Sequence, residues 1–273
     1  MYLFLNQLKI ENMSKVIVTI TTFLLSLMAF SQVSENRSVG NFSKLKASHG
    51  IEVFYTISTT NSIRVETDDD ERLKMVKTEI ENGTLKVFVE TKDNKNYSSK
   101  SSKGHNIDGV NFKVLKVYIS GPSLTSYKAS SSADISIEGE NETSSVSIDV
   151  SSSGSISGKF SADKFMLDAS SSGDFNGTVQ SNNVAIETSS SSDVVISGKT
   201  ETLDIKSSSS SSCVAKDLLA NNVIVSASSS ADVKVFASKV LNAKASSSAD
   251  IVYYGNPTQL TEDESSSGSI KGK

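Results

Sequence analysis

The sequence predicts an all-β fold, a β-solenoid of about 19 residues per coil that is capped by N-terminal strands. Three observations lead there. One short phrase recurs eight times: three serines, a very small residue, a polar residue, then an aliphatic residue or Phe. It opens at Ser130, Ser151, Ser170, Ser189, Ser209, Ser228, Ser246 and Ser265, with starts 21, 19, 19, 20, 19, 18 and 19 residues apart. A period held over so many copies marks a stack of equivalent coils. Between the serine runs, apolar residues recur in register and alternate with polar ones, which a disordered Ser-rich linker has no reason to do. Upstream of the repeat, Asn82-Gly83 sits between two alternating runs, Val76 to Ile80 and Leu85 to Val89. Both turn residues tolerate the positive φ of a type I′ turn, so the pair signals a hairpin.

In chain order, the first segment is a targeting signal. Lys15 precedes an apolar run from Val16 to Phe30, and Ala29-Phe30-Ser31 supplies the small-x-small cleavage pattern. Residues 1–31 are expected to be a signal peptide cleaved before Gln32, with Met13 as the expected natural start. The apolar run is short for a membrane span and no basic cluster follows it. No cysteine near the cleavage site offers a lipid anchor. The remaining chain carries 25 basic and 30 acidic residues, a net charge of −5. That balance argues against a nucleic-acid partner, which wants a basic stripe. No later segment is long enough to span a membrane. The reading is an exported, soluble protein, periplasmic, at the cell surface or extracellular, with its oligomeric state left open.

Residues 32–273 read as one domain, with a strand and hairpin part at 37–120 and a Ser-rich repeat part at 121–273. Ile51, Val53 and Tyr55 alternate with Glu52, Phe54 and Thr56, and Ile63 and Val65 alternate with Arg64 and Glu66; both runs read as strands. Asp68 to Glu71 reads either as one helical turn or as an acidic loop. The stretch 92–111 is polar and reads as a long exposed loop. Val114 to Ile119 resumes strand character until Gly121-Pro122 breaks it.

Within the repeat, side chains on a strand alternate between faces. Alternation through the phrase at Ser130 puts Tyr127, Ala129, Ser131, Ala133, Ile135 and Ile137 inward, and Ser130, Ser132, Asp134 and Ser136 outward. The middle serines (Ser131, Ser152, Ser171) would then form an internal column of hydroxyls. The position after the third serine is always tiny: Ala133, Gly154, Gly173, Ser192, Ser212, Ala231, Ala249 and Gly268. Ala133→Leu or Gly173→Leu should therefore disrupt a coil, whereas Ser132→Thr should be tolerated. Two residues later, Ile135, Ile156, Phe175, Val194, Val214, Val233, Ile251 and Ile270 form one apolar ladder. Val146, Phe165, Val184, Val223, Leu241 and Leu260 form a second. The extra residue of the 20-residue unit is placed within Ser207–Ser212 as a bulge. Cys213, the only cysteine, excludes an intramolecular disulfide and reads as a drifted polar position.

Several phrases together resemble a known family. They are Phe42-Ser43-Lys44-Leu45, His49-Gly50-Ile51-Glu52-Val53, Val65-Glu66-Thr67-Asp68, Gly83-Thr84-Leu85-Lys86-Val87 and the Ser-Ser-Ser-Gly/Ala-x-Ile copies. In order and kind they are similar to the head GIN domain of auto-transporter adhesins, common in exported Bacteroidetes proteins and of unknown function. The resemblance covers the chain from about Arg37 onward, with Glu52 where the family name has Asn. It implies a right-handed single-stranded parallel β-helix and brings no catalytic residues.

Candidate sites are few. Asp134, Asp174, Asp193, Asp232 and Asp250 occupy one outward ladder, interrupted by Ser155, Cys213 and Ser269. Carboxylates on adjacent coils are weak candidates for Ca²⁺, although the Gly-Gly-x-Gly-x-Asp phrase of calcium-binding β-rolls is lacking. His49 and His105, the only histidines, have no Cys or second His at ligand spacing, so no zinc site is expected. No Gly-x-Ser-x-Gly elbow frames a serine. No catalytic residue and no cofactor is assigned. The function read from the sequence is an exported, non-enzymatic β-solenoid, an adhesion or interaction module for a glycan or protein surface. The alternatives are a carbohydrate-active β-helix enzyme and a Ca²⁺-dependent structural rod.

Overall fold

The computed structural model describes residues 32–91 and 104–273. The expected signal peptide and the first part of the polar loop lie outside the described residues. The N-terminal part comprises β1 (Val33–Arg37), β2 (Lys44–Ala47), β3 (Glu52–Ile57), β4 (Ser62–Thr67), a short helix α1 (Asp70–Met75), β5 (Val76–Glu81), β6 (Thr84–Val89), β7 (His105–Ile107), β8 (Val110–Phe112) and β9 (Leu115–Gly121). The repeat part comprises β10 (Ser126–Ala129), six long bent strands and three short ones. The long strands are β11 (Asp134–Val150), β12 (Ser155–Ala169), β13 (Asp174–Thr188), β14 (Asp193–Ser207), β15 (Ser212–Ala227) and β16 (Asp232–Ala245). The short ones are β17 (Asp250–Tyr254), β18 (Gln259–Glu264) and β19 (Ser269–Gly272).

Each long strand makes almost a whole coil and pairs in parallel with the next, from β11 to β16. This is the β-solenoid that the repeat predicts. The first coil is built by β2 and β3, which pair in parallel with β10 and with the start of β11. Antiparallel strands close that end of the stack: β4 pairs with β9 and β1, and β5 pairs with β6 around the Asn82-Gly83 turn. The acidic stretch resolves as α1, whose N-cap Asp69 accepts a hydrogen bond from the Arg72 N–H at 2.8 Å.

The structure departs from the sequence reading first in the polar loop. The end of the presumed loop 92–111 is a hairpin, β7 to β8, turned by Asp108 (φ 48°) and Gly109 (φ 84°). Val110 and Phe112 bury their side chains against the cap, which gives this hairpin its apolar anchor.

The larger correction concerns the serines. They are turn residues, not strand residues. In every copy the second and third serines have φ between 48° and 64°, and the small residue donates its N–H to the first serine's carbonyl, as Ala133 does to Ser130 at 3.2 Å. Paired positive φ values with an i to i+3 bond are those of a type I′ turn. The middle serine is therefore exposed, and no internal column of middle serines forms. Successive turns stack through their backbones: Ser132 N–H donates to Ser152 C=O, and Ser151 N–H donates to Ala129 C=O, both at 3.0 Å.

The turn geometry also resets the phase of the fifth copy. Ser209 and Ser210 carry the positive φ values, so that copy starts at Ser208, its small residue is Ser211 and its polar residue is Ser212. The extra residue sits after the turn, where β14 and β15 shift register between Val195/Val214 and Ser197/Asp217. Cys213, not Val214, continues the first apolar ladder and is fully buried.

The small position is small because it faces the preceding coil. A Cβ built on Gly173 would lie 2.5 Å from the Val150 carbonyl oxygen, and one on Gly154 would lie 2.7 Å from that of Ala129. Ser192 uses the same proximity to donate its hydroxyl to Ala169 O at 2.9 Å.

Inside, one contiguous cluster of buried side chains runs the length of the stack. The second ladder gains Leu203 and loses Leu260, which is exposed on the last coil. Near the capped end, Phe42, Tyr55, Tyr127, Phe160, Phe165 and Phe175 form a chain of ring contacts with centroids 5.5 to 6.4 Å apart. Buried Asn141 satisfies three partners there: it accepts from Leu124 N–H and Tyr127 O–H and donates to Leu124 O. Further along, Thr188, Ser207 and Ser211 form a buried hydroxyl trio with contacts of 2.8 to 3.0 Å. An internal polar column thus exists, built from strand and small positions rather than from middle serines.

Candidate interaction surfaces

Three sets of outward side chains step along the solenoid one per coil. The first is the ridge of serine turns, on which the second and third serines of all eight copies are exposed. The second lies immediately after the turns. In register it reads Lys116, Glu52, Asp134, Ser155, Asp174, Asp193, Ser212, Asp232, Asp250 and Ser269. The structure therefore brings the five predicted aspartates onto one ladder, but as the neighbouring pairs Glu52/Asp134, Asp174/Asp193 and Asp232/Asp250. Partial burial, reinforced by Glu52, holds the Asp134 carboxyl above its ordinary range, and partial burial with Asp193 does the same for Asp174. Among the described residues no group of three or more His, Cys, Asp or Glu side chains is arranged to hold a metal ion.

The third set was missed by sequence reasoning and lies at the corner of the coil remote from the turns. Between two paired rows (Thr143, Ala162, Ser181, Thr200 and Ser145, Lys164, Asn183, Thr202) the apex residues are Ser144, Asp163, Asn182 and Glu201, with Asn221 on the next coil. Three of the corners are braced by a hydroxyl that bonds the carbonyl two residues on: Thr143 to Ser145 O at 3.1 Å, Ser181 to Asn183 O at 3.0 Å and Thr200 to Thr202 O at 2.9 Å. Further bonds link one coil to the next. Asn182 Nδ2 donates to Asp163 Oδ1 at 3.2 Å, Thr202 Oγ1 to Asn183 Oδ1 at 2.8 Å, and Asn221 Nδ2 to Glu201 Oε2. The result is a polar groove of about 710 Å³. Its sequence signal is a Ser or Thr two residues before a polar residue, just ahead of each second-ladder apolar residue. Ala162 and Ala220 interrupt that signal, so the eye passes over it.

The two histidines, 56 positions apart, line one cavity of about 450 Å³ with Asp108, Ser131 and Ser132. His105 Nε2 lies 4.0 Å from Glu52 Oε1, and Ser48 Oγ is 3.1 Å from His49 Nδ1. The wall beyond the turns carries a charged row in which Lys128 meets Asp149 at 2.7 Å and Lys206 meets Glu187 at 3.0 Å. Asp168, between these pairs, is raised by partial burial and by the flanking Asp149 and Glu187. The Cys213 thiol is pushed up to about 12 by complete burial, so it is no thiolate nucleophile at neutral pH.

The family described as "Putative auto-transporter adhesin, head GIN domain" matches residues 41–257. The chain belongs to the head GIN domain family. Glu52, third in the Gly50-Ile51-Glu52 phrase of this head GIN domain, is in register with Asp134 and so is itself a rung of the outward polar ladder. Similar solved structures include a putative adhesin from Parabacteroides merdae (15% identity, TM-score 0.77, covering 89% of this chain and 96% of that one). Another is a putative adhesin from Parabacteroides distasonis (17%, TM-score 0.77, covering 90% and 98%). A third is a putative lipid binding protein from the same species (20%, TM-score 0.75, covering 89% and 96%). At these identities the likeness establishes the head GIN fold. No curated protein matches the sequence.

Proposed function

We propose that this head GIN domain is an exported, non-enzymatic surface module of adhesion type, with residues 32–273 acting as one unit. The observation that carries the reading is repetition on the outside. The serine turn recurs on every coil, and outward carboxylates and amides recur in register on several of them, all along one axis. Coils are about 4.8 Å apart, so the same weak contact is offered many times to one extended partner. The adhesin names of the family and of similar structures support the same reading. An enzyme of the β-helix type would use two carboxylates converging with a base across a cleft, whereas these carboxylates form rows along the stack.

The test is a glycan-array and extracellular-matrix screen on residues 32–273. Saturable binding to at least one class of surface is expected. Silence across both panels overturns the reading.

A further inference from the structure

We propose that the corner groove is a binding site for an extended, β-linked polysaccharide, with Asp163, Asn182, Glu201 and Asn221 as successive rungs. The proposal rests on the surface-module reading above and gives it a site and a ligand class.

Four features of the corner point to this chemistry. Its apex alternates carboxylate and amide, from Asp163 through Asn182 and Glu201 to Asn221. A carboxylate only accepts, while an amide both donates and accepts. Neighbouring sugar hydroxyls, each a donor and an acceptor, are matched by such a mixed row. The rungs are spaced by one coil, about 4.8 Å, and an extended chain of β-1,4-linked pyranoses advances by a similar step per ring. Successive rings of such a chain face opposite ways, so rings two apart share a pose and would meet like rungs, carboxylate with Asp163 and Glu201 or amide with Asn182 and Asn221.

The rungs are also held in place before any ligand arrives. The Asn182–Asp163 and Asn221–Glu201 bonds hold the rung side chains and the Ser181 and Thr200 hydroxyls hold the corner backbone, which lowers the ordering cost of binding. Finally, the row beside the apex, Gln180 and Lys199, runs in register into Leu219, which is 51% exposed, and half-buried Phe236. That shelf can take the C–H face of a sugar ring. A protein partner would instead want a desolvated apolar pocket for an aromatic or Arg anchor, and every residue lining the groove except Ala162 is polar.

The experiment is calorimetric titration of residues 32–273 with cellohexaose and chitohexaose. Cellobiose serves as the length control and maltohexaose, which is α-linked and coiled, as the shape control. A β-1,4 hexamer should bind saturably, at least about tenfold more tightly than the dimer because several rungs engage at once, and more tightly than maltohexaose. Asn182→Ala combined with Asn221→Ala should weaken the hexamer about tenfold, since two hydrogen bonds to ligand are lost. Lys74→Ala with Glu79→Ala, both exposed on the cap, should leave affinity unchanged, and both variants should keep the parent circular dichroism spectrum.

No binding of either β-linked hexamer, equal affinity for maltohexaose, or indifference to the Asn182/Asn221 variant overturns the proposal. If the groove variant still binds a surface found in the broader screen, the module function stands and the groove assignment falls. Binding of a matrix protein through the groove, with no binding of β-linked sugars, likewise overturns the ligand class.

Discussion

At the scale of single residues, backbone proximity and backbone conformation decide what each repeat position tolerates. Gly173→Leu would force a side chain into the Val150 carbonyl 2.5 Å away. The coil would have to part from its neighbour, at a cost of about 3 kcal/mol or more. Denaturant unfolding of this variant should show that loss, and a loss below about 1 kcal/mol would mean the coils can separate freely. The expectation that Ser132→Thr is harmless is overturned by its φ of 60°. A β-branched residue resists that region, so this change should destabilise by roughly 1 kcal/mol.

Protonation adds a second residue-scale prediction. Asp174 has its pKa raised in the fold by partial burial first and by Asp193 second. A raised carboxylate binds a proton more tightly in the native state, so it disfavours folding above the folded pKa, and that penalty disappears as pH falls below the ordinary carboxylate value. Asp174→Asn should therefore melt higher than the parent at pH 7, and the gap should close as pH falls toward about 3.5. A gap that is constant with pH would show that the carboxyl's charge is not the cause.

At the scale of elements, the serine turn is the unit that distinguishes this solenoid. Sixteen serines occupy left-handed backbone that Asn and Gly enter more easily. They are held there by the turn's own bond and by the coil-to-coil ladder through Ser132 N–H and Ser151 N–H. Replacing Ser152-Ser153 by Asn-Gly should therefore raise stability, by roughly 0.5–1 kcal/mol in denaturant unfolding. A loss would mean that the serine side chains stabilise the turn beyond what its backbone requires.

The same turn explains what the sequence conveys and what it hides. The apolar ladders were legible because Ile135, Ile156 and Phe175 keep strict register and burial demands it. The serines misled because strand alternation was carried through residues that had already left the strand. The run Ser207–Ser212 carries no phase of its own. Only the burial of Cys213 and the backbone angles of Ser209 and Ser210 set it. The corner groove escaped notice because its rungs differ in identity and share only a place in space.

At the scale of the whole molecule, each coil contacts mainly its neighbours, so the two ends face different physical problems. One end is closed by the antiparallel strands β1, β4 and β5. At the other, β18 pairs with β16 alone among the described strands, and its six residues are all exposed. Its sequence answers the hazard of an open edge. Glu262 and Glu264 continue the rows of buried Ala243 and Ala245, so carboxylates stand where the interior ladder would otherwise continue. Stacking a second solenoid on this edge would bury both carboxylates, whose hydrogen bonds to Tyr253 and to the Ile270 N–H leave the charge unneutralised, which is strongly unfavourable. Glu262→Ala with Glu264→Ala restores the interior pattern and removes that barrier. In sedimentation velocity at matched concentration, the double variant should associate more strongly than the parent, while each chain keeps the parent's secondary structure. Identical sedimentation of the two proteins would show that the carboxylates do not guard the edge, and that the shape of the last coil alone prevents stacking.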